Sequence, residues 1–170
     1  MTTTPMGKSP EESSQRVRDI MTAPVISATA DTSVGRIAEL MHEKAISGVP
    51  VVNDSNRVIG IVTDFDLVMR ITPIDPPHFL PLLEGRIPLE TKGHFERRIR
   101  HQVGAAARDV MTEEVITIGA DENIESLAQV MVGNRIDLVP VVENGRLVGV
   151  VSRADVIRWM TRDHSPGTDA

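Results

Sequence analysis

The chain has 170 residues with normal apolar content but three Phe, one Trp and no Tyr, so any core must be built from Val, Ile, Leu, Ala and Met. A formal net charge of −6 argues against non-specific nucleic-acid binding, which needs clustered Lys and Arg, and the absence of Cys excludes disulfides and thiolate metal sites. No apolar run reaches the roughly 20 residues of a membrane span, and the opening "MTTTPMGKSPEESSQ" has no signal-peptide core, which points to a soluble cytoplasmic protein.

Residues 1–16 are polar, contain Pro and Ser, and read as a disordered tail. From there the chain repeats itself after 90 residues. "RDIMTAPVISATAD" (Arg18–Asp31) lies over "RDVMTEEVITIGAD" (Arg108–Asp121), and "AISGVPVV" over "RIDLVPVV". Over 18–52 about 15 of 35 positions are identical, against roughly two expected from average residue usage. After one residue is dropped in a turn, "RVIGIVTDFDLV" resumes over "RLVGVVSRADVI". The period is too long for a solenoid.

Each repeat reads β-α-β-β-α. A leading strand is expected around Val25–Ser27 and Val115–Thr117. Asp31 and Asp121 are read as N-caps of helices whose apolar positions are Val34, Ile37, Ala38, Met41 and Ile124, Leu127, Ala128, Met131. The methionines belong to the core rather than to a cofactor site. A strand at Val49–Val52 or Val139–Val142, a turn, and a second strand at Val58–Thr63 or Leu147–Ser152 follow. The last helix starts at a hydroxyl-x-x-Asp, "TDFD" (Thr63–Asp66) and "SRAD" (Ser152–Asp155). A unit of roughly 55 residues buries too little surface to stand comfortably alone. Two of them suggest face-to-face packing with pseudo-twofold symmetry and a shared core.

The divisions are 17–70 for the first repeat, 71–107 for an insert, 108–163 for the second repeat and 164–170 for another disordered tail. The insert opens with "TPIDPPHFLPLLEGRIPLE", whose prolines favour an extended path, and continues with an amphipathic helix carrying Phe95, Ile99 and Val103. Its apolar content suggests packing on the module or on a second copy.

The recurring D-[IV]-M-T, the central P-V-V, the strand with its glycine and the closing [ST]-x-x-D resemble two successive CBS motifs, the cystathionine-β-synthase-type repeat. The resemblance implies an α/β (α+β) fold of two β-α-β-β-α motifs, often dimerising into a disc of four. It also implies clefts for AMP, ADP, ATP, NAD or S-adenosylmethionine, no catalysis, and control of an unidentified partner protein by ligand occupancy. The regulatory nucleotide would be the only small-molecule partner, with no catalytic cofactor, no nucleic acid and no membrane. A dimerisation scaffold without nucleotide binding is the alternative.

Read as local physics, "TDFD" and "SRAD" are capping boxes. Read through the resemblance, the hydroxyl serves a phosphate and the carboxylate a ribose diol. Thr22 and Thr112 match a hydroxyl near the phosphate or ribose, and Ile46, Ser47 and Gly48, with Ile136, Asp137 and Leu138, match the edge that reads the adenine. One cleft is expected to combine Thr22 and Ile46–Gly48 with Ser152 and Asp155. The other would combine Thr112 and Ile136–Leu138 with Thr63 and Asp66. Asp137 stands where many relatives are basic, which disfavours polyphosphates. Arg153 is read as the compensating cation, whereas the first repeat has Asp64 there. The five histidines show no ligand spacing, and no Ser-His or Cys-His pairing suggests a nucleophile.

Overall fold

The computed structural model describes residues 15–71, 79–82, 85–88 and 105–162. In chain order the elements are α1 (Val17–Ile20), α2 (Val34–Lys44), β1 (Gly48–Val52), β2 (Val58–Thr63), α3 (Asp64–Met69), β3 (Phe79–Leu82) and β4 (Gly85–Pro88). Then come α4 (Ala107–Val110), β5 (Ile118–Gly119), α5 (Ile124–Asn134), β6 (Leu138–Glu143), β7 (Arg146–Ser152) and α6 (Arg153–Arg162). The expected β-α-β-β-α order therefore stands in both repeats, but the leading strand lies slightly later than read. It is a parallel bridge from Ala28 to Val51 in the first repeat, and β5 in the second.

The described residues divide into two compact units that do not coincide with the repeats. The central unit draws on Ile26–Asp54 and Val58–Val115; the C-terminal unit draws on Met1–Val25, Ser55–Arg57 and Ile116–Ala170. Each therefore takes the D-[IV]-M-T segment of the opposite repeat. The buried residues form two clusters, one per unit, and each draws on both repeats.

In the C-terminal unit β6 pairs antiparallel with β7 and parallel with β5. The β6–β7 connection is the two-residue turn Asn144-Gly145, both at positive φ (49° and 74°), between the paired Glu143 and Arg146. That is the geometry of a type I′ turn, whose twist matches the strands. In the central unit β1 pairs with β2, and both hairpins carry an irregularity at the same place, Val51/Val52 and Val141/Val142.

Helices α2 and α5 bury Val34, Ile37 and Met41, and Ile124, Leu127 and Met131. Ala38, read as part of the stripe, is exposed. The caps also lie two residues later than read. Ser33 Oγ accepts from Arg36 N–H at 3.2 Å, and Asn123 Oδ1 accepts from Ser126 N–H at 2.7 Å. Asp31 and Asp121 instead form ion pairs with Arg108 and Arg18. Those pairs help hold the exchanged segments in place, which is why an acid sits near a helix start without capping it.

The exchanged segments explain the recurrent D-[IV]-M-T. Asp19 and Asp109 reach back to the N–H groups of Arg16 (2.8 Å) and Ala106 (3.0 Å), capping the short helices α1 and α4. Val17, Ala107 and Val110 are fully buried. Thr22 and Val150 exchange backbone hydrogen bonds at 2.8 and 3.1 Å, and Thr112 and Ile61 do so at 2.9 and 3.0 Å. The methionine then lies over the glycine of the last strand. A Cβ on Gly149 would fall 2.9 Å from Met21 Cγ, and one on Gly60 would fall 2.8 Å from Met111 Cγ. A side chain there would have to push the methionine's thioether aside.

In the insert, β3 and β4 pair antiparallel, a hairpin not anticipated from the proline content. The helix expected around 95–103, and both tails beyond Gln15 and Arg162, lie outside the described residues.

Substituting Gly149→Ala should destabilise the chain by about 1–3 kcal/mol through overpacking. In the double variant Gly149→Ala, Met21→Ala the loss should be smaller than the sum of the two single losses. Urea denaturation of the four proteins tests this, and strictly additive losses would show that Met21 does not press on Gly149.

Candidate functional site

Both hydroxyl-x-x-Asp turns form the same hydrogen-bonded structure. In the C-terminal unit Ser152 N–H and Ser152 Oγ–H donate to Asp155 Oδ2 at 2.8 and 2.7 Å, and Asp155 N–H donates to Ser152 Oγ at 3.3 Å. In the central unit Thr63 N–H and hydroxyl donate to Asp66 Oδ2, both at 2.7 Å, and Asp66 N–H donates to Thr63 Oγ1 at 3.4 Å. Asp66 and Asp155, each 8% exposed, are the only buried charged residues among those described. The capping reading is thus realised in atoms, and it engages one carboxylate oxygen of each Asp.

The second oxygen differs in its known partners. Asp155 Oδ1 accepts from Arg158 Nη1 at 2.8 Å, an i,i+3 pair along α6. The repeat-equivalent position in α3 is Met69. Arg153, read as the cation of the site, pairs instead with Asp137 Oδ1 at 2.7 Å. The acid expected to repel a phosphate and the arginine expected to attract one thus lie within ion-pair distance of each other.

The remaining predicted residues are distributed as follows. Thr22 is exposed, and its pairing with Val150 in β7 sets it near Ser152. It lines a cavity of about 500 Å³ in the C-terminal unit together with Asp155, Arg158, Trp159, Asp19 and Met21. Ile136, Asp137 and Leu138 lead into β6 of this unit, where Arg153 N–H donates to the Asp137 carbonyl at 2.9 Å. In the central unit Thr112 pairs with Ile61, two residues before Thr63. Ile46, Ser47 and Gly48 lead into β1 there, with Asp64 N–H donating to the Ser47 carbonyl at 2.9 Å. Because Gly48 pairs with Thr63 and Leu138 with Ser152 in the hairpins, each edge lies beside the turn of its own repeat, which corrects the expected grouping of Ile46–Gly48 with Ser152 and of Ile136–Leu138 with Thr63.

Sequence reasoning missed Arg158, Trp159, Asp19 and Gln15. A signal existed for the first two, because they stand three and four residues after Asp155 and so share its helix face. Trp159 Nε1–H donates to Gln15 Oε1, a contact across the whole chain that no local pattern announces. Among the described residues no cluster of His, Asp or Glu has the form of a metal site, and no helix is long and apolar enough to cross a membrane.

The family model for the CBS domain matches residues 17–72 and again 107–162. The chain belongs to the CBS domain family. It is 32% identical over 151 residues to the protein MJ1426 of Methanocaldococcus jannaschii, covering 83% of this chain and 88% of that one. It is 26% identical over 140 residues to the chloroplastic CBS domain-containing protein CBSX2 of Arabidopsis thaliana, covering 75% of this chain but 55% of the plant protein. The crystal structure of CBSX2 in complex with AMP matches with a TM-score of 0.72 at 26% identity, over 86% of this chain and 97% of that one. The CBS domain pair of MJ0100, crystallised with 5′-methylthioadenosine and S-adenosyl-L-methionine, shares the fold with a TM-score of 0.66 at 23% identity, over 88% of this chain and 98% of that one.

Within this CBS pair, removing the capping carboxylate should be costly whether or not a ligand binds. Asp155→Ala is expected to lower unfolding free energy by about 1–3 kcal/mol, because it strands the Ser152 donors. Ser152→Ala should cost about 1 kcal/mol. Thermal or urea melts without ligand check this, and an unchanged Asp155→Ala melt would contradict the capping geometry.

Proposed function

We propose that the chain is a regulatory module that binds an adenosine-containing ligand and passes its occupancy on to a partner protein. The observation that carries this reading is the repeated set of a buried Asp at a helix start, its capping hydroxyl, and an exposed threonine brought in by the opposite repeat. A carboxylate accepts both hydrogens of a ribose cis-diol, while a hydroxyl and the N–H groups of a helix start suit a phosphate oxygen. The C-terminal unit supplies Thr22, Ser152 and Asp155, with Ile136 beside them in the chain segment entering β6. The central unit supplies Thr112, Thr63 and Asp66, with Ile46, Ser47 and Gly48 entering β1.

The AMP complex of CBSX2 supports a nucleotide as the ligand, and the adenosine compounds held by MJ0100 fit the same chemical class. Arg153 is assigned to Asp137 rather than to a phosphate. No catalytic step is part of this proposal. Homodimerisation in the cytoplasm belongs to the same proposal. The exposed apolar residues Val68 and Ile71 of the first repeat correspond in register to Ile157 and Met160 of the second, giving each unit a similar apolar face at its last helix.

One observation favours the alternative of a non-sensing scaffold: Oδ2 of both aspartates is already engaged in capping. Isothermal titration of the full chain with AMP, ADP, ATP, NAD and S-adenosylmethionine separates the two. At least one compound should bind, and Asp155→Asn, which keeps an acceptor for the cap, should weaken that binding by about tenfold or more through loss of charge-assisted hydrogen bonds. If none binds at millimolar concentration, the sensing role falls and the turns are caps alone.

A further inference from the structure

Three groups along α6 share one wall of the cavity in the C-terminal unit: Asp155, Arg158 and Trp159. The hydrogen bonds around Asp155 set a constraint on any ribose placed there. Oδ2 already accepts two bonds, from Ser152 N–H and Ser152 Oγ–H. While the Ser152 hydroxyl stays on Oδ2, a cis-diol gripped by this carboxylate meets Arg158 Nη1 on Oδ1, at 2.8 Å. A carboxylate oxygen has about two acceptor positions, so a full two-hydrogen grip at Oδ1 displaces the arginine.

The displaced guanidinium is well placed to take an anion. The Asp155 end of the pair is buried, whereas the Arg158 side chain is 58% exposed, so the arginine can swing while the acid stays. Arg153, paired with Asp137, and Arg18, paired with Asp121 and Glu143, lie outside the residues that line the cavity. Among the cavity's described lining residues Arg158 is the only cation, set against the acids Asp19 and Asp155. A guanidinium also matches a phosphate with two parallel donors.

We propose that Arg158 is the phosphate-selecting residue of this cavity, releasing Asp155 to the ribose diol and pairing with the phosphate of a nucleoside monophosphate. The inference rests on the adenosine-binding reading above and sharpens it. Met69 stands at the equivalent place in α3, so the assignment is made for the C-terminal unit.

Titration of the full chain with AMP and with adenosine, for wild type, Arg158→Gln and Arg158→Lys, tests the assignment. Trp159, the one Trp of the chain and part of this wall, gives a fluorescence signal specific to the cavity. Wild type should prefer AMP. Arg158→Gln should weaken AMP by about tenfold or more while leaving adenosine unchanged or slightly tighter, and Arg158→Lys should retain part of the preference. An Arg158→Gln protein whose AMP-to-adenosine ratio equals that of wild type, including one in which both affinities fall together, overturns the assignment and leaves the adenosine reading intact. A wild type that binds neither compound overturns both.

Discussion

The structure depends on one short contact made twice: a threonine hydrogen-bonded in both directions to the last strand of the opposite repeat, with the preceding methionine laid over a strand glycine. Everything specific to the two units follows from it. The segment ending at Thr22 buries Val17 in the C-terminal cluster, and the segment ending at Thr112 buries Ala107 and Val110 in the central one. Without its exchanged segment, each hairpin would leave the glycine side of its last strand uncovered. A motif of about 55 residues gains buried apolar surface by this exchange, which is what a motif too small to be stable alone requires. Unfolding either unit also disturbs both repeats.

The same contact places the candidate site. Ser152 and Thr63 are both the last residue of a strand and the cap of a helix, so the position of each hydroxyl is set by the strand pairing that Thr22 or Thr112 completes. A point of convergence among a strand end, a helix start and an exchanged loop is therefore a product of folding before it is a product of ligand binding. Under the proposed function, capping and ribose binding meet at Asp66 and Asp155 for this reason, on different oxygens. Capping takes Oδ2, in a bond that orders the turn; Oδ1 is the atom on which the two repeats have diverged.

Much of this was legible in the residues. The repeat, the two hairpins, the second-strand boundaries at Thr63 and Ser152 and the last helices follow from alternation, turn chemistry and the doubled hydroxyl-x-x-Asp. The caps of α2 and α5 did not follow. Asp31 and Ser33, like Asp121 and Asn123, are both competent cap residues, and local propensity does not decide between them. Arg108 and Arg18 decide it by drawing the aspartates into ion pairs with partners 77 and 103 residues away. The Arg153 pairing was not legible for a related reason. Its charge was visible, but the Asp137 that claims it comes into range only when β6 and α6 meet at the strand end. The exchange itself was legible only in its end point. Thr22 was read as joining Ser152 and Asp155, yet the pattern gave no sign that Val17 and Met21 would cross with it.

Divergence between repeats is most informative where the fold makes no demand. The glycine, the methionine above it, the threonine and the buried Asp occur in both units because the same packing and the same cap require them. Position 158 is not under that requirement. An exposed side chain one turn into α6 can be arginine, methionine or anything that favours a helix, at a difference of a few tenths of a kcal/mol. Placing a guanidinium there, within 2.8 Å of a buried carboxylate, gives the C-terminal unit an i,i+3 charge pair where α3 has Met69. One end of the pair is buried, so the roughly 0–1 kcal/mol of a fully exposed pair does not bound its effect on stability. On the proposal above it also acts on what the cavity accepts, because a group that takes Oδ1 leaves the arginine open to a new negative partner.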